Sequence, residues 1–179
     1  VVVFEQTFDF GGVTMTRTVT PSATGSAGGV GRSALAQARA LWRDAVAQPL
    51  PADRFRIAHL SALRATAALL AVRSEPGRRL AHRPTSAWVL VLKIAPEFAD
   101  WAAYFEAGVA KRAAADAGVL AAVSEAEGSE MLEAVRTYLF LVDAAMVNRD
   151  TGLDGLLGES ISPTHFPPPT ARFMHARAS

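Results

Sequence analysis

From Ser33 onward the apolar residues of this chain recur at intervals of three and four. Leu35, Ala38, Leu41, Trp42 and Ala45 trace one face, the pattern of an amphipathic helix. Ser33 offers an N-cap hydroxyl, and Pro49 and Pro51 end the run. A second helix opens with Ala52 and Asp53 and continues to about Arg73. Residues 74–85, SEPGRRLAHRPT, contain Pro and Gly breakers and read as a loop. A third helical region begins near Ser86 with Trp88, Val91, Leu92 and Ala95, and Pro96 kinks or restarts it. Phe98, Trp101, Ala102, Phe105 and Val109 then keep one apolar face up to Gly118, a C-cap. Ser124 and Glu127 stand as S-x-x-E, a capping box in which each side chain satisfies a backbone N–H at the helix start. Met131, Val135, Leu139, Val142 and Met146 form the buried stripe that follows.

The ends behave differently. Period-two alternation is confined to residues 1–20, and Thr20 to Gly31, TPSATGSAGGVG, reads as a flexible Gly-rich lead-in. Beyond Asn148 the chain turns to Gly and Pro, and HFPPPTARFMHARAS reads as a disordered tail. The expected division is a flexible segment over 1–31, a helical bundle over 32–149 and a disordered Pro-rich tail over 150–179. The fold expected is all-α: an up-and-down antiparallel helix bundle of four to five helices with disordered termini.

Composition sharpens this. Half of the residues are apolar and a fifth charged, ordinary for a globular chain with a core. Alanine dominates the apolar set and favours close-packed helices. Aromatics make up only 8%, so Trp42, Trp88, Trp101, Tyr104, Phe105, Tyr138 and Phe140 are expected to anchor the packing. The net charge of +1 provides no global field for nucleic acid or anionic lipid. Cysteine is absent, which excludes disulfides, thiolate metal sites and a Cys nucleophile. No uninterrupted apolar run approaches bilayer length, and VVVFEQTFDF lacks a basic n-region; a cytoplasmic protein is expected, without a membrane partner. Lys93 and Lys111 are the only lysines, and the Arg/Ala bias suggests a GC-rich genome. Gly11-Gly12 ahead of Met15 suggests that translation starts at Met15 rather than Val1.

The stretch RFRIAHLSALRATAALLAVR, the Pro/Arg loop after it, and SAWVLVLKIAPEFADWAAYFEAGVAKRAAADAG together resemble a family of small actinobacterial HEPN-domain proteins. The pieces that carry the resemblance are AHLxALRA at 58–65, SAW at 86–88 and APEFADWAAYF at 95–105, within a span from Leu35 to Val142. The resemblance implies a helical bundle, often dimeric. The wider HEPN group includes endoribonucleases, toxin partners of small nucleotidyltransferases, and inactive relatives that bind nucleic acid, nucleotide or protein. Its ribonucleases carry Arg-x(4–6)-His in a late helix, where the histidine serves acid–base chemistry. Here the late helix has Arg136, followed five to seven places on by Leu141, Val142 and Asp143, so the histidine is missing.

An earlier pair, Arg54 and His59, has the right spacing. Chance supplies about one such match among four histidines and an arginine at roughly every eleventh position. Residues five apart on a helix are also rotated by about 140°. Arg54 falls toward the polar side with Arg64, whereas His59 falls among Phe55, Leu60, Ala62, Leu63 and Thr66, on the apolar arc. The pair therefore reads as structural.

Other constellations are weaker. SAGGVGRS, 26–33, approaches a P-loop but has Ser26 and Arg32 where Gly and Lys belong. Gly29, Gly31 and Ala34 fit a dinucleotide pattern, yet no strand precedes either. Arg73, Arg78, Arg79, His82 and Arg83 form a local basic patch that reads as a solvated loop. Glu125, Glu127, Glu130 and Glu133 crowd a helix N-terminus, where the dipole stabilises anions. No histidine pair has metal-ligand spacing, and no G-x-S-x-G elbow occurs.

No catalytic, cofactor-binding or metal residue is assigned. The expected function is a HEPN-type binding or regulatory module without catalysis, a homodimer with a nucleic-acid or protein partner. The alternative is a metal-independent HEPN endoribonuclease or toxin using Arg54 and His59.

Overall fold

The computed structural model describes residues 4–9, 14–19, 27–74, 86–151 and 162–170. The first two stretches are strands β1 (Phe4–Asp9) and β2 (Thr14–Val19). They pair antiparallel, with Phe4 opposite Val19 and Asp9 opposite Thr14. The N-terminal segment expected to be flexible over 1–31 thus contains a hairpin. It also contains the start of α1 (Ala27–Val46), six residues before Ser33.

Helix α2 (Pro51–Arg73) is the centre of the bundle. Proline at its first position lacks only an N–H that the helix end could not use. By length and composition alone α2 could cross a bilayer. It is instead packed against α1, α6 (Glu125–Thr151), α3 (Ala87–Ile94) and α5 (Val109–Asp116), which accounts for its apolar character. Ala58, Ala62, Ala65 and Ala68 are all fully buried, and small side chains let the helix axes approach closely. The Ser61 hydroxyl donates to Ala38 O at 2.7 Å, stitching α2 to α1.

Contacts fix the directions. Trp42 Nε1 donates to Leu132 O at 3.0 Å, and Arg39 pairs with Asp143 at 2.8 Å. Thr66 meets Tyr138 at 2.9 Å, while Gly128 abuts Pro51. Helix α1 is therefore antiparallel to α2 and α6, which run the same way. Helices α3, α4 (Ala99–Ala107) and α5 occupy the third position of an up-and-down bundle. The fold is all-α in its bundle. Among the described residues six α-helices fill the four positions of the expected bundle, because the third region is cut twice. Pro96 imposes a 3-10 turn over Pro96–Phe98, and Gly108 separates α4 from α5. Gly118 has φ +83° just after α5, where Gly avoids the Cβ clash.

The core is aromatic on one side and alanine-rich on the other. Phe98, Trp101, Phe105 and Tyr138 form a continuous set of ring contacts, with Phe105 and Tyr138 centroids 5.0 Å apart. Thr66 Oγ1 donates to Ala62 O, so the Tyr138 hydroxyl donates to Thr66. Six of the seven expected anchors are buried or half-buried. Phe140 is the exception at 53% exposure: five positions after buried Val135, it is turned to the outer face of α6.

The tail departs from expectation as well. Within the stretch read as disordered, residues 162–170 lie against the bundle. Pro163 is buried, and Trp101 Nε1 donates to Phe166 O at 3.0 Å.

Candidate functional site

Helical phase puts His59 on the inner side of α2, and the structure buries it completely. Its Nε2 lies 2.8 Å from Phe105 O. A carbonyl only accepts, so Nε2 carries the proton and Nδ1 a lone pair. Nδ1 is buried and has no hydrogen-bond partner. Phe55 stacks on the ring, and Trp88 and Phe105 meet it edge-on at 5.9 and 6.1 Å. Gly108 closes the remaining side: a Cβ there would stand 3.2 Å from the imidazole Cδ2. Burial pushes the pKa down to about 4; the Phe105 hydrogen bond opposes this, and the nearby Arg112 charge adds to it. At neutral pH the ring is uncharged.

Arg54 is occupied elsewhere. Its guanidinium donates to Gln48 O and Pro49 O in the link between α1 and α2, and pairs with Glu125 at the start of α6. One side chain thus ties the start of α6 to the link between α1 and α2. Arg54 and His59 point to different parts of the bundle, as the 140° rotation implies.

A SAV_6107-like HEPN family model matches residues 45–143, more than half of the chain. The chain belongs to this HEPN family. No curated protein and no solved structure matches it.

On the late helix of this HEPN domain, Arg136 is exposed and pairs with Glu133 at 2.8 Å. Of the residues standing where a histidine would complete the ribonuclease motif, Leu141 and Val142 are buried in the core, and Asp143 binds Arg39. The four acidic residues near the start of this helix also have structural partners. Glu125 has Arg54, Glu133 has Arg136, and Glu130 accepts from Tyr104 Oη at 3.3 Å. Glu127 closes the predicted capping box: Ser124 N donates to it at 2.9 Å, and its own N–H reaches Ser124 Oγ at 3.3 Å. Lys111 Nζ binds the same carboxylate at 2.7 Å. Burial alone would raise the Glu127 pKa, but the bonds from Lys111 and Ser124 outweigh it and hold the carboxyl below its usual range. Among the described residues no cluster of His, Asp and Glu could hold a metal.

Ala27 through Ser33 are helical, so the described part of this Gly-rich run adopts no phosphate-cradling loop in this HEPN chain. Gly31 serves packing. A Cβ there would come within 2.4 Å of Val72 Cγ2 and 3.2 Å of Met146 Cε. In the basic loop, Arg73 pairs with Glu97 at 2.8 Å, while Arg78, Arg79, His82 and Arg83 lie outside the described residues.

One residue escaped the sequence reading. Arg112 is only 5% exposed, and its charge acts on His59. Its Nε lies 3.8 Å from Asp116. It stands four places after Gly108 and three before Ala115, both buried, so its helical phase marked it as an inward-facing cation.

Proposed function

We propose that this HEPN chain is a non-catalytic binding or regulatory module. The observation that carries the reading is the sealed state of His59. A general acid or base must reach the proton it transfers and titrate near the working pH. The only His–Arg pair with the right spacing has its imidazole bound to Phe105 O under three aromatic rings, and its arginine committed to the α1–α2 link and Glu125. The late helix supplies no alternative histidine.

The module works as a homodimer in the cytoplasm, paired through the outer face of α6. Glu133, Arg136, Phe140 and Val147 are exposed there at spacings of three, four and seven, one side of the helix. Helix α2, by contrast, has no fully exposed residue.

The test is incubation of total RNA with the protein in EDTA, wild type beside His59→Gln. No cleavage by either protein is the expected outcome. Cleavage that is lost in a folded His59→Gln chain replaces this reading with the metal-independent nuclease.

A further inference from the structure

The shell around His59 is mostly apolar. Phe55, Trp88 and Phe105 surround the ring, and Nε2 is committed to Phe105 O at 2.8 Å. Nδ1, separated from Nε2 only by Cε1, is a lone pair sealed in the core with no partner in the protein. Water removed from such an acceptor on folding must be replaced by another donor, and native interiors rarely leave the group unserved.

A cation enters the same shell from α5. Gly108 lies against the ring, its Cβ position 3.2 Å from the imidazole Cδ2. Arg112 N donates to Gly108 O at 3.0 Å, so Arg112 stands one turn further along the same face. The residue is 5% exposed, and its charge acts on His59. Asp116 is the carboxylate beside it, but Nε and Oδ2 are 3.8 Å apart, beyond hydrogen-bond reach. A guanidinium has five N–H donors and no acceptor.

Arg112 can therefore only donate, and Nδ1 can only accept. A direct bond between them would serve both, yet Nδ1 has no protein donor. A group placed between them must donate on one side and accept on the other. An anion would meet the Nδ1 lone pair, and a cation would meet Arg112, so the group is neutral. Three rings and Gly108 enclose the imidazole and leave room only for something small. Water meets each condition.

We propose that one water molecule is bound between α2 and α5, donating to His59 Nδ1 and accepting from the Arg112 guanidinium. Phe105 O, His59, the water and Arg112 then form a single hydrogen-bonded chain from α4 through α2 to α5. This explains why a cation is retained on the inner face of α5, and it holds whether or not the protein is catalytically silent.

Water-selected NOE and ROE spectra of the full chain, labelled with 13C and 15N, test the site. His59 Hε1 is bonded to carbon, does not exchange with solvent during the measurement, and sits next to Nδ1. Cross-peaks from the water frequency to Hε1 and to the Arg112 guanidinium protons are expected. Their signs should be opposite in the two spectra, which identifies a water held longer than the protein takes to tumble. Arg112→Met keeps an apolar stem and removes the donors, so the Hε1 cross-peak should be lost while circular dichroism is unchanged. A folded wild type without the Hε1 cross-peak overturns the proposal. A cross-peak that survives in folded Arg112→Met also overturns it, because the water would not reach α5. Should Arg112→Met fail to fold, the wild-type spectra decide: cross-peaks at both groups support the bridge, and a cross-peak at only one refutes it.

Discussion

The imidazole Nε2 of His59 donates to the backbone carbonyl of Phe105 across 46 residues of sequence, at 2.8 Å. This bond joins α2 to the end of α4 inside an aromatic shell. It leaves the other ring nitrogen as a lone pair with no partner. A proton added there would place a charge in an apolar site already close to Arg112, which is why the pKa falls to about 4.

That depression makes stability depend on pH. The unfolded chain takes up the His59 proton near pH 6.5, and the folded chain resists until about pH 4. Between these values the unfolded state binds more protons, so stability falls as pH falls. The contribution is fully present above pH 6.5 and is lost progressively down to about pH 4, on the order of 3 kcal/mol in all. Urea unfolding of wild type should show this loss. His59→Gln keeps an amide N–H for Phe105 O but cannot titrate, so its curve should be flatter over the same interval. Parallel curves for the two proteins would exclude His59 as the source.

At Gly31 packing outweighs helix propensity. Alanine in a helix interior is normally better than glycine by about 1 kcal/mol. At this position the added methyl would sit 2.4 Å from Val72 Cγ2 and 3.3 Å from Ala68 O. Val72 branches at Cβ and cannot swing away freely. Gly31→Ala is expected to destabilise the protein by about 1–3 kcal/mol, measured as a lower urea midpoint with an unchanged slope. A stabilised variant would mean that α1 can move away from α2 at no cost.

The same glycine explains where the sequence misleads. Gly28, Gly29 and Gly31 are breakers by local propensity, and α1 runs through all three because Gly31 is needed where α1 crosses Val72 and Met146. Residues 162–170 depart from the local pattern for a related reason. They are held by the burial of Pro163 and by a bond between Trp101 and Phe166, 65 residues apart, and no local pattern encodes that. Local signals did well where they act locally. The pattern opens α2 at Ala52, one residue after its start at Pro51, Ser86 caps α3 through a bond from Trp88 N, and Ser124 with Glu127 form the predicted box. Helical phase also located His59 on the buried face, although the identity of its acceptor was not legible.

The capping box at the start of α6 is shared with a third residue. Lys111 Nζ contacts both Glu127 Oε1 and Ala122 O, at 2.7 and 3.0 Å. Ser124→Ala removes an acceptor for the Glu127 N–H and should cost about 1 kcal/mol. Glu127→Gln keeps a hydrogen-bonding side chain but loses the ion pair with Lys111, which is largely shielded from water. Lys111→Met should therefore have a much smaller effect in the Glu127→Gln background than in wild type. A double-mutant cycle measured by thermal unfolding gives this coupling directly, and additive effects would show that the pair contributes nothing.

Phe140 offers the sharpest test of the dimer. It is the largest apolar side chain on the outer face of α6, 53% exposed, with Val147 two turns further along at 52%. The polar pair Glu133 and Arg136 lies on the same face. A two-fold axis crossing α6 near Phe140 would bury the ring against its own copy and set the charged pairs at the rim, the usual distribution in a self-complementary interface. An aromatic residue at the centre of such a contact typically contributes 2 kcal/mol or more, so Phe140→Glu should weaken dimerisation by at least about thirtyfold. The side chain is exposed, and the substitution should change the stability of the monomer by no more than about 0.5 kcal/mol. Light scattering after size exclusion, at tens of micromolar, should give a dimer for wild type and a monomer for Phe140→Glu. A wild-type monomer at that concentration rules out the dimer, and a dimer that survives Phe140→Glu moves the interface away from α6.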